Sequence, residues 1–547
     1  MMKERLIILG AGVMQGPAIR IAKELGLFTV ALDGSAEAPC ISMADRFERI
    51  DLKDREGITA FGRSLQNSGG LAGVMTAGTD FSAVVAWAAE RLGLPGLPYE
   101  AALNASDKSR MRSCFKKAGL PSPEFITLDG APQSDDWPLP GGFPLVVKPI
   151  DSMGGRGCRR VDSFAELRTA LEEALDFSRS RRAIVEAFME GPEFSVDAIL
   201  YHGEISICGL ADRHIFFPPY FIEMGHTMPT IVEAEKQEAI LETFRDGIRA
   251  LGLAEKDSVG AAKGDIKLTP TGPMIGEIAA RLSGGYMSGW TYPYASGAEP
   301  IKAAILAALG RKPEGLKPLR SWTSAERAFI SIPGKVRSIH GLETARGQTH
   351  VKDLFLRIGE GSRVSFPVNN VTKCGNIISA APDRAAAADA AEGAARSILI
   401  RLETGNGETD AFLAAGAAAG GRPKACPDAE GQAFPPDAFQ ISPELRAALL
   451  RLPEPEASGA GETPVDVKLV SFPEFASSEL RDYAGRTVRE SLEAARRLTG
   501  LSLPEVPPDA AILSDDKSIL LGRSFWAALV RGGYQGAVYF IDSLGRL

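Results

Sequence analysis

The sequence predicts an α/β domain with a parallel sheet at the N-terminus, followed by a longer α+β region. Over residues 1–100, short apolar runs alternate with helical stretches. Beyond that point, strand-like segments follow one another with few helices between them. Alternating strands and helices are typical of a parallel sheet, and runs of consecutive strands are typical of α+β architecture.

The N-terminal domain is predicted from one strand–turn–helix–strand unit. An apolar run at 5–9 ends in Gly10-Ala11-Gly12, a helix is expected at 17–26, and a second apolar run at 28–32 ends at Asp33. Such a βαβ unit implies parallel strands. We place the boundary of this Rossmann-like domain at 1–100, after a turn rich in proline.

The second region, 101–320, mixes helices with antiparallel strands. Helices are predicted at 105–119, 164–176 and 233–251, and strands at 144–149, 183–186, 193–200, 204–210, 264–268 and 273–278. A third region, 321–412, is predicted to contain a strand at 328–332, a helix at 385–397 and a strand at 398–400. Residues 413–437 carry mainly Ala, Gly and Pro, which is typical of a linker, and 438–547 are predicted to form a small, mostly helical appendage.

Length and composition narrow the class of protein. With 547 residues and about 150 residues per domain, the chain is long enough for three to four domains. A hydrophobic fraction of 45% is ordinary for a globular protein, and a net charge of −8 argues against a nucleic-acid partner.

Cysteine and histidine usage argues against several kinds of site. The six cysteines are scattered without a CxxC pair, and the five histidines show no HxxxH or HExxH spacing. We therefore expect neither a disulfide scaffold nor a thiolate or histidine metal site. Apolar runs fall short of the ~18 residues of a membrane span, and the N-terminus is too briefly apolar for a signal peptide. A cytoplasmic protein without a membrane partner is expected, and a homodimer is compatible with the sequence.

The glycine turn at residue 10 is a weak signal. Gly10-Ala11-Gly12 and Gly16 give the spacing GxGxxxG, and Asp33 ends the second strand, where an acidic residue meets a ribose in dinucleotide-binding proteins. The same pattern opens many doubly wound domains that bind no dinucleotide.

A second glycine cluster is more informative. Lys148 ends an apolar strand and is followed by Gly154, Gly155 and Gly157. Backbone N–H groups approach phosphate oxygens most closely where no Cβ intervenes, and a nearby lysine neutralises the phosphate charge. The alternative is a structural turn beside a surface lysine.

Two carboxylates form a third cluster. Asp265 and Glu277 lie twelve residues apart on two predicted strands joined by the turn at 269–273. A hairpin places them side by side, which suits Mg²⁺ completed by phosphate and water. Arg281 follows, ahead of Ser283-Gly284-Gly285, and its guanidinium could hold a carboxylate or phosphate. The alternative is a charged hairpin facing solvent.

Taken in order, these motifs resemble the ATP-grasp superfamily. The motifs are Ser106-Asp107-Lys108, Val146-Val147-Lys148-Pro149 with its glycine loop, Glu186 through Glu193, Asp265, and Glu277-Ile278-Ala279-Ala280-Arg281. Together with Glu223-Met224-Gly225-His226, they are most similar to carboxylate–amine ligases that include L-amino acid (dipeptide) ligases. The resemblance covers about residues 1–405 and implies a preATP-grasp domain, an ATP-grasp fold with two α+β subdomains, and a lid-like C-terminal subdomain.

The resemblance also implies roles for individual residues. Lys108 and Lys148 would contact ATP phosphates under the loop carrying Gly154, Gly155 and Gly157. Glu186 and the Met189 backbone would meet adenine, and Glu193 the ribose. Asp265 and Glu277 would hold Mg²⁺. Many members carry Asn two residues after the second metal carboxylate, but this chain has Ala279, which removes one possible Mg²⁺ ligand.

The implied reaction forms an amide through an acyl phosphate, with ADP and phosphate released. The substrates would be a small-molecule carboxylate and an amine, amino-acid-like in character. Lys148 and Arg281 are the expected catalytic residues, with Arg281 stabilising the oxyanion of the tetrahedral intermediate. The expected substrate-binding residues are Arg213, Glu223, His226, Ser283 and Gly284.

Three alternatives stay open at this point. One is a purine-pathway or carbamoyl-phosphate-type ligase of the same superfamily. Another is an NAD-dependent oxidoreductase built on the first glycine turn, which leaves Lys148, Asp265, Glu277 and Arg281 without a role. The last is a nucleotide-binding regulatory module that has lost catalysis.

Overall fold

The computed structural model describes residues 3–130, 138–414, 528, 532, 535–540 and 542–543. The chain forms two compact units that interleave along the sequence. The first comprises Met1–Ile215, Gly225–Glu326 and Ile378–Ala388, and the second Phe216–Met224, Arg327–Ile377 and Asp389–Leu547. Among the helices in the described ranges, none is long and apolar enough to cross a membrane.

A four-stranded parallel sheet opens the first unit, as the alternation of strands and helices predicts. Its elements are β1 (Arg5–Leu9), α1 (Gly16–Glu24), β2 (Phe28–Asp33), β3 (Arg46–Arg49), α2 (Arg55–Asn67), β4 (Leu71–Thr76), α3 (Ser82–Leu92) and α4 (Tyr99–Asn104). The strand order is β3-β2-β1-β4. Leu6 to Leu9 of β1 are fully buried, because a parallel sheet is covered on both faces.

The next helix starts later than the sequence suggests. The predicted helix at 105–119 is found as α5 (Lys108–Ala118), because the Asp107 carboxylate caps its first turn by accepting from the N–H groups of Ser109 and Arg110. This N-cap makes Lys108 the first residue of the helix.

A small antiparallel sheet follows, with one helix packed on it. It contains β5 (Phe125–Leu128), β6 (Leu145–Pro149), β7 (Arg159–Val161), α6 (Phe164–Phe177) and β8 (Ala183–Ala187), with the strand order β5-β8-β6-β7. Leu167 and Leu171 of α6 are buried against Leu145 and Val147 of β6. Lys148 therefore lies on a strand whose alternate side chains are fixed in a core.

A larger sheet carries the carboxylate pair of Asp265 and Glu277. Its first strands are β9 (Glu193–Tyr201), β10 (Glu204–Phe216), β11 (Ile222–Met228), β12 (Val259–Thr269) and β13 (Gly272–Ala279), and α7 (Ala234–Ala250) packs on β12 and β13. The order β13-β12-β9-β10-β11 places β12 between β13 and β9, with both pairs antiparallel. The four strands predicted between 193 and 278 are confirmed and are longer than expected.

The rest of the first unit is mainly helical. A π-helical turn (Met287–Thr291) leads into α8 (Tyr292–Ser296), and α9 (Pro300–Ala308) packs against α1. The next strand is β14 (Thr323–Phe329), where 328–332 was expected. Alternation of polar and apolar residues does not predict the bounds of this strand, because the polar residues Thr323, Ser324 and Glu326 are buried together with their apolar neighbours.

Further short elements follow, and most of their residues belong to the second unit. After β14 come β15 (Gly334–His340), α10 (Leu342–Arg346), β16 (Val351–Leu356), β17 (Arg363–Val364), β18 (Gly375–Ala381), α11 (Arg384–Ser397), β19 (Leu399–Leu402) and α12 (Gly407–Ala414). β15 pairs with β17 and β19, both antiparallel. The predicted helix at 385–397 is confirmed, whereas no bounds were predicted from the sequence for the short strands β15 to β18.

Part of the predicted appendage belongs to the second unit. Residues 535–540 and 542–543 are helical, and the Gln535 amide bonds Ile332 N (3.0 Å), Ser331 Oγ (2.7 Å) and Ile400 O (3.0 Å). The predicted linker at 413–437 overlaps the end of α12 and otherwise lies outside the described residues, as does most of 438–547.

Candidate active site

The two predicted metal carboxylates lie side by side. Asp265 on β12 pairs directly with Glu277 on β13, and opposite residues of an antiparallel pair point to the same face. A shift in register follows Asp265. At Gly276 a Cβ would lie 2.9 Å from the Asp265 carbonyl oxygen, so only glycine allows the two strands to approach this closely.

Three protein groups surround Asp265. Ser195 Oγ donates to its Oδ1 at 2.8 Å, Arg213 Nη1 lies 3.0 Å from its Oδ2, and Lys263 Nζ forms an ion pair with the same oxygen. Burial favours a higher pKa for Asp265, but the charges of Arg213 and Lys263 outweigh it and hold the pKa below its ordinary value. Asp265 is therefore ionised at neutral pH.

Glu277 is ionised for a similar reason. Lys108 Nζ lies 3.6 Å from Glu277 Oε1 and donates to the Ser152 carbonyl at 2.8 Å. Burial acts to raise the pKa of Glu277, and the charges of Lys108, Lys263 and Lys148 together lower it. The lysines expected at the phosphates are thus close to the carboxylates expected at the metal.

Lys148 belongs to a buried triad. Its Nζ lies 2.7 Å from Glu186 Oε2, and Arg112 Nε donates to Glu186 Oε1 at 2.8 Å. Arg112 and Glu186 are almost fully buried, with side-chain exposures of 1% and 3%. Burial would raise the pKa of Glu186, but the two cations lower it to about 2. Glu186 therefore anchors Lys148, and its predicted contact with adenine stays a prediction.

The glycine loop needs glycine at three positions. Gly154, Gly155 and Gly157 have φ values of +72°, +74° and +63°, which residues with a Cβ rarely adopt. Arg156 between them donates to the Met153 carbonyl at 2.9 Å and to Asp80 Oδ2 at 3.0 Å. The loop is thus shaped for close backbone approach, and its contact with phosphate stays a prediction.

Arg281 is held at the start of the turn that follows β13. Its Nε donates to the Thr79 carbonyl at 2.9 Å, and its Nη1 to the Leu282 carbonyl at 3.0 Å. Ser283 donates both its N–H and its hydroxyl to Asp197. Gly284 lies against Gly78, where an added Cβ would be 3.2 Å from the Gly284 Cα.

The segment expected at adenine and ribose lies beside β12, the first strand of the hairpin. Met189 O accepts from Lys267 Nζ at 3.1 Å, and Glu193 forms an ion pair with Arg213. Arg213 therefore bridges Glu193 and Asp265. Its predicted role toward a substrate carboxylate stays a prediction.

The two remaining candidates lie on β11 in different surroundings. His226 is buried in the first unit, with Nδ1 3.1 Å from Glu326 Oε2. Glu223 belongs to the second unit, where its N–H donates to Asn370 Oδ1 and its carbonyl accepts from Lys373 Nζ at 2.6 Å. The sequence left this segment between Asp212 and His226 without a secondary-structure prediction.

Sequence reasoning missed several residues of the site. They are Arg112, Ser195, Asp197 and Lys263, which contact predicted site residues from other positions along the chain. Lys263 and Ser195 carried a usable signal: each lies two residues from a predicted ligand on a strand, and therefore on the same face. Arg112 and Asp197 carried none, because their partners are distant in sequence.

The two carboxylates of the hairpin fit the expected magnesium site. Within the described ranges, no group of three or more His, Cys, Asp or Glu side chains is arranged to hold a metal. Asp265 and Glu277 supply two ionised carboxylates, and Mg²⁺ commonly takes one or two from the protein with phosphate and water completing the shell.

The first glycine turn is occupied by the protein's own side chains. Asp33 Oδ2 accepts from Ala11 N at 2.9 Å, and Gln15 Oε1 accepts from Gly12 N at 2.9 Å. A Cβ at Gly10 would lie 2.9 Å from the Gln15 side chain. The N–H groups that would bind a dinucleotide pyrophosphate are bonded within the loop, which disfavours the oxidoreductase alternative.

Comparison with protein families agrees with this geometry. The family description "ATP-grasp domain" matches residues 141–288, and "L-amino acid ligase C-terminal domain 2" matches residues 328–403. The chain therefore contains an ATP-grasp domain. The ATP-grasp match contains Lys148, the glycine loop, Asp265, Glu277 and Arg281.

Individual relatives of this ATP-grasp chain are distant. Carnosine synthase 1 of Gallus gallus is 25% identical over 41% of this chain and 26% of its own length. D-alanine–D-alanine ligase of Marinobacter nauticus is 34% identical over 23% of this chain and 39% of its own. The chain thus spans well under half of either relative.

The fold is also found in a solved structure. The L-amino acid ligase of Bacillus licheniformis aligns with a TM-score of 0.63 and 22% identity, covering 74% of this chain and all of that one. At this identity the likeness concerns the fold.

Proposed function

We propose that this ATP-grasp ligase joins a carboxylate to an amine through an acyl phosphate, with amino-acid-like substrates and release of ADP and phosphate. The observation that carries the proposal is the juxtaposition of Asp265 and Glu277 with Lys108 and Lys148, with Arg281 on the turn that follows Glu277. Cations for phosphate, carboxylates for Mg²⁺ and a guanidinium for an oxyanion are the groups that phosphoryl transfer and amide formation need.

When bound, Mg·ATP supplies the phosphoryl group that activates the carboxylate. Asp265 and Glu277 would hold the Mg²⁺, with Lys263 limiting the repulsion between the two carboxylates. Lys108 and Lys148 are held in place by Ser152 and Glu186, so their charges are pre-organised for phosphate oxygens. The roles of Glu186, Met189 and Glu193 at adenine and ribose are part of this proposal.

The substrate carboxylate oxygen would attack the γ-phosphorus, and ADP would leave. The amine nitrogen would then attack the acyl carbon, and phosphate would leave. Arg281 would stabilise the oxyanion of the tetrahedral intermediate, because its guanidinium is fixed by Thr79 and Leu282 rather than free to rotate. The loop at 153–157 would cover the phosphates, because an acyl phosphate must be kept from water.

The match of residues 328–403 to the C-terminal domain of L-amino acid ligases favours amino-acid-like substrates over those of a purine-pathway or carbamoyl-phosphate ligase. Substrate contacts by Arg213, Glu223, His226, Ser283 and Gly284 are proposed on the same ground. A cytoplasmic location, expected from the sequence, accompanies this assignment.

The proposal is tested by ADP release from Mg·ATP across all pairs of the twenty amino acids, with product identity read by mass spectrometry. We expect release that requires two amino acids and yields a dipeptide. Release that depends on bicarbonate, formate or a phosphoribosyl amine instead would support the other branch of the superfamily. A chain that binds Mg·ATP without turnover under any of these conditions would support the regulatory alternative.

Matched variants separate chemistry from folding. Lys148→Ala and Glu277→Ala are expected to abolish release, because one removes a phosphate cation and the other a metal ligand. Lys236→Ala and Glu235→Ala, at exposed positions on α7, are the controls and should behave as wild type. Equal loss in a site variant and its control would contradict the assignment.

A further inference from the structure

Asp197 is a fully buried carboxylate that nothing in the expected reaction uses. It lies on β9 directly opposite Lys263 of β12, and its side chain has no exposed surface. A buried carboxylate is retained only where it is well bonded, because its desolvation is costly. Its partners therefore indicate what it does.

The partner of Asp197 is the turn that follows Arg281. Ser283 N lies 3.2 Å from both carboxylate oxygens, and Ser283 Oγ donates to Oδ2 at 2.5 Å. The Ser283 carbonyl accepts from Ser288 Oγ at 2.8 Å. Ser283 thus donates both of its hydrogens to Asp197 and shapes the turn, and its proposed substrate contact is limited to accepting a hydrogen bond.

The same face of β9 serves both halves of the site. Ser195 and Asp197 are two residues apart on the strand, so their side chains point to one face. Ser195 donates to the metal carboxylate Asp265, and Asp197 accepts from Ser283. One rigid strand therefore sets the position of the turn relative to the metal carboxylates.

The turn is held from its other side as well. Arg281 Nε donates to the Thr79 carbonyl, and Gly284 lies against Gly78. Ser283, which lies between Arg281 and Gly284 in the chain, is hydrogen-bonded to Asp197. The Arg281 guanidinium therefore has little freedom to shift. A displacement of about 1 Å in such a group lowers a rate by up to about a hundredfold.

We propose that Asp197 is a positioning residue of the ligase reaction: through Ser283 it fixes the turn that carries Arg281 relative to the metal carboxylates. This inference rests on the proposed function. It predicts that loss of Asp197 impairs the chemical step much more than the binding of Mg·ATP, because the lysines and the glycine loop are on other elements.

The test uses the full chain with three variants, Asp197→Ala, Asp197→Asn and Ser283→Ala. Asp45→Asn is the matched control, because Asp45 accepts from the N–H and the hydroxyl of Thr29 in the same manner but in the N-terminal sheet. Affinity for Mg·AMPPNP is measured by calorimetry, and kcat by amino-acid-dependent ADP release. Hydrogen exchange of 281–288 reports the turn directly.

Asp197→Ala is expected to lower kcat about tenfold or more, with nucleotide affinity within about threefold of wild type and faster exchange at 281–288. Asp197→Asn should restore most of kcat, because an amide still accepts from the Ser283 N–H and donates to its hydroxyl. Ser283→Ala should show an intermediate loss, and Asp45→Asn none.

If Asp197→Ala shows faster hydrogen exchange at 281–288 but an unchanged kcat, the proposal is overturned, because Asp197 would then stabilise the turn without affecting the reaction. Equal losses of kcat and nucleotide affinity would overturn it too. A wild-type chain that binds the nucleotide but releases ADP with no amino-acid pair would refute the proposed function itself, and the positioning role with it.

Discussion

The triad of Arg112, Glu186 and Lys148 gives a quantitative prediction for Glu186→Gln. The carboxylate is 3% exposed and lies between two cations, at 2.8 Å from Arg112 Nε and 2.7 Å from Lys148 Nζ. Its pKa falls from 4.5 to about 2. A difference of about 2.5 pH units corresponds to about 3 kcal/mol, and one buried partner removed from an ion pair costs ~3–5 kcal/mol. We therefore expect Glu186→Gln to lower the free energy of unfolding by about 3 kcal/mol.

The sign of the pH dependence follows from the direction of the pKa change. Because folding lowers the pKa of Glu186, its stabilising contribution is fully present above pH 4.5 and is lost as the pH falls toward 2. The difference between wild type and Glu186→Gln should be constant between pH 6 and 8 and should shrink below about pH 4.5.

Urea unfolding followed by circular dichroism at several pH values measures this difference. Glu172→Gln, at an exposed position on α6, is the control, with an expected change within about 0.5 kcal/mol. A loss below about 1 kcal/mol for Glu186→Gln, or a loss of the same size at pH 3 and pH 7, would refute the reasoning.

Three further predictions concern other parts of the chain. Gln535→Ala should lower the free energy of unfolding by about 1–3 kcal/mol in urea titration, because it leaves a buried backbone N–H unpaired. Burial raises the pKa of Asp197 to about 6, against the charges of Lys263 and Arg281. The neutral form of Asp197 therefore contributes to the stability of the folded protein below pH 3.8, and this contribution is lost as the pH rises through 6. Asp197→Asn should therefore gain up to about 3 kcal/mol over wild type between pH 4 and pH 8 in the same assay. Gly155→Ala should raise the KM for ATP, since a Cβ at φ +74° costs about 1 kcal/mol and obstructs the phosphate-binding backbone; an unchanged KM would argue against phosphate binding by the loop.

The fold was predictable wherever the pattern of apolar and polar residues within a single segment indicates a strand or a helix. β1, β2 and β6 are short apolar runs bounded by glycine or proline, and α6 and α11 are amphipathic stretches, so all five were found close to their observed bounds. β14 was misplaced, because its buried polar residues find partners elsewhere: Ser324 donates to the Ser379 carbonyl, and Glu326 meets His226.

The candidate site was predictable where its residues lie on one hairpin, or on one strand and the loop that follows it. Asp265 and Glu277 are neighbours because a short turn joins their strands, and pairing across a hairpin follows from the turn. The partners of Glu186 and Ser283 were not predictable. Arg112 is 74 residues from Glu186, and Asp197 is 86 residues from Ser283.

The sequence by itself determined the parallel and antiparallel regions, the glycine loop after Lys148 and the carboxylate pair on one hairpin, because each depends on residues close together in the chain. Only the tertiary structure decided which cation neutralises which carboxylate, that Ser283 turns inward to Asp197, and that the first glycine turn is filled by Asp33 and Gln15. The physical reason is that alternation along a strand says which face a side chain takes, but not which strand lies beside it.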